Sequence, residues 1–261
     1  MNMQKKKVLV ASLAVCLVAI LSMGTLAWFN AQDEVTNKFE VLSSLTSFKV
    51  DVWEEVPDAD NDGALDEVGK NALGPHDYTY ENVEPNKDYT KVMYVENNSG
   101  NALAGQYIKM EVTFTKYSVL YNMVKELTSP QDCATAMLKG ANFSPNENGP
   151  ESWWYDPTDT RCYHYDANED EATFTFYLKE VLSNGSSVKL FEKVWIPDTM
   201  DINDAAALQP EGFQIKAVAY AIQSANIADP NGTSVLDNVL YAFANGYYGN
   251  STGIPDYTVT P

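Results

Sequence analysis

Apolar and polar residues alternate with a period of two along several stretches of this chain, the pattern of half-buried β-strands. Tyr107 to Phe114 is the cleanest case. Ile108, Met110, Val112 and Phe114 point one way, and Lys109, Glu111 and Thr113 the other. Thr46 to Trp53 sets Phe48, Val50 and Val52 against Lys49, Asp51 and Trp53. Ala172–Leu178, Val188–Ile196 and Gln214–Gln223 complete the set, most of them bounded by turn residues such as Asn184-Gly185-Ser186. Strands with one wet face predict an all-β protein, an antiparallel β-sandwich. Helices are few and short. Ser129 caps and Pro130 opens one that carries Cys133, Ala136, Met137 and Leu138. A second spans Val235 to Ala244, capped by Ser234 and stopped near Gly246. Its Val235, Leu236, Val239, Leu240 and Phe243 share one face, which is expected to pack on the sandwich.

The first residues follow a different logic. Lys5, Lys6 and Lys7 precede an apolar run from Val8 to Met23, and Gly24-Thr25-Leu26-Ala27 follows. A basic start, an apolar middle and small residues before the cut describe a secretory signal cleaved after Ala27. The run is slightly shorter than the ~20 apolar residues of a membrane span, so no stable membrane anchor is expected after cleavage. The expected organisation is therefore residues 1–27 signal peptide, 28–45 an N-terminal segment, 46–223 the sandwich, and 224–261 a C-terminal helix and tail.

Charge narrows the choice of partners. The chain has 36 acidic and 17 basic residues, a net charge of −19, and loss of three lysines with the signal makes it −22. Such a surface repels nucleic acid and anionic lipid head groups. Two cysteines remain after the signal, Cys133 and Cys162, and an oxidising compartment permits either a disulfide or two separate buried thiols. Only two histidines occur, His76 and His164, neither with a second ligand at helical spacing. No nucleophile motif or phosphate loop is present, and the chain is expected not to be an enzyme.

One motif has cation chemistry. Asp58-Ala59-Asp60-Asn61-Asp62-Gly63-Ala64-Leu65-Asp66 sets carboxylates at alternate positions with glycine at the sharp turn. Asp58, Asp60, Asp62, the Ala64 carbonyl and Asp66 could converge on a structural Ca2+. Gly69 stands where an EF-hand needs a bidentate glutamate, so the alternatives are a calcium loop of another type or a solvated acidic hairpin tip. Trp153-Trp154-Tyr155 and Tyr163-His164-Tyr165 gather aromatics around Cys162, either as a stacking platform for sugars or peptides or as buried packing.

Three blocks resemble one family. Gly24-Thr25-Leu26-Ala27-Trp28-Phe29-Asn30 followed by Thr36-Asn37-Lys38-Phe39-Glu40-Val41 resembles the signal and mature start of the TasA/camelysin family. Val83 to Tyr89 and Val95 to Gly100 resemble its turn, strand and second turn, and Gln214 to Gln223 its last core strand. The resemblance implies a jelly-roll sandwich, export through a signal peptidase of the SipW type, and an extracellular or cell-surface location. It also implies a biofilm-matrix fibre subunit whose N-terminal strand enters the next copy head to tail, with an accessory matrix protein as a further partner. Here Trp28, Phe29, Phe39 and Val41 would make the assembly contacts. A calcium-stabilised surface adhesin using the Trp153–Tyr165 region is the alternative, and a camelysin-like secreted metalloprotease is a third.

Overall fold

The computed structural model describes residues 30–34, 37–38, 49–57, 64–70, 78, 80, 83–99, 105–209, 212–225 and 227–245. Thirteen strands fall in them: β1 Asn30–Glu34, β2 Asn37–Lys38, β3 Val50–Val56, β4 Asp66–Val68, β5 Lys87–Asn97, β6 Gln106–Phe114, β7 Leu138–Lys139, β8 Phe143–Ser144, β9 Trp153–Trp154, β10 Tyr163–Asp166, β11 Glu171–Leu178, β12 Ser187–Ile196 and β13 Ile215–Gln223. The helices are α1 Tyr117–Val124, α2 Cys133–Met137, α3 Ile202–Leu208 and α4 Val235–Ala244, with a 3-10 turn over Pro130–Asp132. The chain is all-β with a few short helices, as its alternation predicts.

The strands form two sheets. The larger runs β2-β1-β13-β6-β11-β9-β8, with β10 also paired to β11; the smaller runs β4-β3-β5-β12-β7. Pairing is antiparallel except for β8 with β9, where Phe143 sits beside Trp153 in a parallel step. The wholly antiparallel expectation is corrected at that one pair. One core joins both sheets: Ile108, Met110, Val112 and Phe114 of β6 meet Val50 and Val52 of β3 and Met93 and Val95 of β5. These positions alternate because the pleat sends every second side chain inward. β12 breaks the rule, since register shifts near Lys189, Phe191 and Lys193 let both Leu190 and Phe191 be fully buried.

One end of the sandwich is tied by polar groups. Buried Asn97 donates its amide to the Leu182 carbonyl at 2.9 Å, and buried Gln106 donates to the Lys49 carbonyl at 3.1 Å and to Ser99 Oγ at 2.9 Å. The Asn184-Gly185 turn places Gly185 at φ +74, a left-handed conformation that glycine adopts without a Cβ penalty, and its N–H reaches the Asn97 carbonyl at 2.7 Å. The predicted C-terminal helix forms as α4, with Ser234 and Asp237 closing a capping box. Leu236, Val239, Ala242 and Phe243 are buried and α4 rests on β6 and β11, while Val235 stays exposed. The helix expected after Ser129 is shorter than foreseen. Ser129 makes no side-chain cap, the 3-10 turn leads into α2, and Leu138 already belongs to β7.

Candidate functional site

The clearest candidate is the outer edge of β13. An edge strand presents unpaired N–H and C=O groups that some other backbone must satisfy. Here that backbone is β1. Asn30 pairs with Ile222, and the antiparallel register runs to Glu34 opposite Val218. Beyond it, β2 adds only Lys38 opposite Asp33 and Asn37 opposite Glu34. β1 also lies beside β3, closing the seam between the sheets. The strand it covers is built of small and branched residues. Ala217, Ala219 and Ala221 face the core at 1% exposure or less, while Tyr220 donates to Glu111 at 3.1 Å under the Lys109 ammonium, 4.2 Å above its ring.

Several expected site residues lie outside the described residues: Ala27, Trp28, Phe29, Phe39, Val41, Asp58, Asp60 and Asp62. What surrounds the acidic motif is clear. It joins β3 to β4, a hairpin whose ladder puts Val56 opposite Asp66. Ala64 is exposed and Asp66 half-buried at the start of β4. Among the described residues no three Asp, Glu, His or Cys side chains group as metal ligands.

Elsewhere the acidic side chains organise turns. Asp156 accepts from the Thr158 N–H, Asp166 from Asn168, and Asp229 from Asn231, each at 2.8 Å. Asp159 holds the Arg161 guanidinium and accepts the Arg161 N–H, and these hydrogen bonds keep its carboxyl below the usual range. These four carboxylates thus shape loops (Asx-turn chemistry).

The aromatic cluster around Cys162 is packing. Trp153, Trp154 and Tyr155 are at most 4% exposed, and the Trp153 indole donates to the Lys189 carbonyl at 3.0 Å. Tyr155 donates to the Gln131 carbonyl and Tyr117 to the Pro130 carbonyl, tying the turn before α2 to the core. Of the two readings, packing therefore holds for Trp153, Trp154 and Tyr155; of the six residues in the two aromatic runs only His164 and Tyr165 are exposed.

Cys133 and Cys162 are both free thiols, 1% and 0% exposed, so the candidate disulfide between them is not formed in this structure. Cys133 donates to the Met137 sulfur at 3.8 Å. Burial pushes each thiol up to about 12. A thiolate is the reactive form, so both are expected to resist maleimide in the native protein and to react fully in denaturant. Rapid native labelling of either would contradict the buried placement.

A surface cleft of about 580 Å3 is lined by Tyr94, Ser152, Glu180, Leu182, Ser187 and Lys189 among others. Its lining holds no histidine or cysteine. No helix among the described residues is long and apolar enough to cross a membrane. Sequence alternation found β13 but not its edge role, because burial of a face leaves a signal in side chains whereas an unpaired backbone leaves none. No protein-family model, curated protein or solved structure matches this chain.

Proposed function

We propose that the protein is a secreted structural subunit, a TasA-like component of an extracellular fibre, with a jelly-roll sandwich that polymerises by donating its N-terminal strand. One observation carries this reading: a five-residue polar strand, Asn30–Glu34, covers the outer edge of the nine-residue β13. That strand begins three residues after the expected cut at Ala27. The same hydrogen bonds can be made by the strand of a second copy, so exchange within or between chains changes little in the ladder itself. Head-to-tail donation does not close on itself and makes a filament.

The balance is set by concentration and by side chains. A tethered strand competes at an effective concentration on the order of mM. Dilute subunits therefore stay closed unless crowding at the exit site, or anchoring of Trp28, Phe29, Phe39 and Val41 in a neighbour, favours the open form. Repulsion between subunits of charge near −22 would be screened by salt or by Ca2+ at Asp58, Asp60, Asp62 and Asp66. Catalysis has no part in this reading.

The test compares the chain beginning at Trp28 with one lacking residues 28–41, by electron microscopy and sedimentation, in calcium and in chelator. Filaments are expected from the first alone, and the second should bind a synthetic peptide of residues 28–41. Monomers from both under every condition would remove the mechanism.

A further inference from the structure

Beyond its apolar core, the inner face of the smaller sheet carries two charged side chains. Glu54 stands on β3 in phase with Val50 and Val52, and Lys91 on β5 in phase with Met93 and Val95. The register places Glu54 opposite Met93, which makes Lys91 its diagonal neighbour on that face. Their side chains are 3% and 9% exposed, and the Lys91 ammonium donates to the Glu54 carboxylate. Tyrosines close the surroundings. The Tyr80 hydroxyl donates to the Thr90 carbonyl, and its ring packs edge-on against Tyr78 and Tyr89. Burial first, and the charge of Glu54 second, raise the Tyr80 hydroxyl far above its ordinary range, so Glu54 is within electrostatic reach of it.

As ions these groups are poorly served. An ammonium offers three donors and a carboxylate about four acceptor sites. Among the described residues each has the other as its sole side-chain partner. Desolvation of two charges is offset only where further hydrogen bonds surround both.

We propose that Glu54 and Lys91 are the site of an intramolecular isopeptide bond, a self-made covalent staple between β3 and β5. One proton passes from Lys91 Nζ to a Glu54 oxygen, leaving an amine and a carboxylic acid. The amine lone pair attacks Glu54 Cδ, a C–N bond forms and a C–O bond breaks. The leaving hydroxyl takes a second proton from the nitrogen and departs as water. No oxidant or co-reactant is consumed. Fixed proximity replaces a bimolecular encounter, and a dry site disfavours the return of water. The product amide keeps one donor and one acceptor, a smaller demand than the ion pair leaves.

Intact mass spectrometry of the folded chain tests this, with no dependence on filament formation. The expected mass is one water below that of the sequence, and Glu54→Ala and Lys91→Met each restore the full value. Because loss of one buried partner can unfold the chain, the deciding measurement uses the unsubstituted protein. After unfolding and proteolysis, a branched peptide should join the Glu54 and Lys91 segments. Water lost instead as a succinimide at Asp62-Gly63 would leave linear peptides and overturn the proposal. So would the full sequence mass after prolonged incubation of the folded protein.

Discussion

Trp153→Ala is expected to cost about 3–5 kcal/mol from lost burial and the cavity left behind. The indole is wholly buried on β9, between Phe143 of β8 and Leu178 of β11, and its N–H reaches across to the Lys189 carbonyl of β12. It therefore links the larger sheet to the smaller one. Removing it also loses one hydrogen bond, worth about 0.5–1.5 kcal/mol, while Asn142 still donates to the same carbonyl at 2.8 Å. Against a typical stability of about 5–15 kcal/mol, the variant should be near or past its folding limit at 37 °C. Denaturant unfolding measures the effect, and Trp153→Phe serves as control because it keeps most of the apolar volume while losing the N–H. A surface stacking platform at Trp153 would instead leave the unfolding curve unchanged, and that result would contradict the packing described above.

Alkali should unfold the protein cooperatively, beginning near the ordinary thiol value of 9.0 and continuing toward about 12. The sign follows from which state ionises first. In the unfolded chain Cys133 and Cys162 lose their protons near 9.0, whereas burial holds them as thiols in the folded state to about 12. Between those values the folded state binds more protons, so its stability falls as pH rises. A shift of about three units corresponds to roughly 4 kcal/mol per thiol once complete. Burial raises the hydroxyls of Tyr117 and Tyr155 in the same cluster as well, which steepens the loss. Denaturant midpoints followed by circular dichroism across this range check the effect. Cys133→Ala with Cys162→Ala should flatten its lower part, and a stability that stays constant or rises would refute the assignment.

The sandwich was legible where side chains alone decide the answer. β6 alternates cleanly, and all four of its apolar residues from Ile108 to Phe114 are at most 1% exposed. β3 was harder. Val50 and Val52 point to the core as read, but Trp53 on the opposite face is also buried, stacked on Tyr94 at 4.2 Å beneath the Lys70 ammonium. Glu54 then occupies an inner position that binary patterning reserves for an apolar residue. Helix α1 was missed because Tyr117-Ser118-Val119-Leu120-Tyr121 has strand-like propensity, and Lys116 before it, at φ +54, offers no side-chain cap. Its Leu120 and Val124 are nevertheless fully buried, so tertiary packing decides its form. Helix α3 could have been found, since Asp201 and Asp204 make a capping box that is visible in the sequence. β1 offers no such handle: Asn-Ala-Gln-Asp-Glu has neither period nor apolar face, and it is a strand because β13 needs a neighbour.

The lengths of the sheet borders bear on the shape of any larger structure. The smaller sheet ends in β4 and β7, of three and two residues, and the larger sheet ends opposite β1 in β8, of two. Stubs of that size give a stranger's backbone too few rungs to hold. Among the described residues, β13 is a long strand whose flank depends on a short latch. It shares this arrangement with β12, whose ten residues meet β7 only at Lys193 and Val194, but β13 is the one covered by the segment that follows the expected cut. In the proposed fibre, growth by the β13 flank would run along a line.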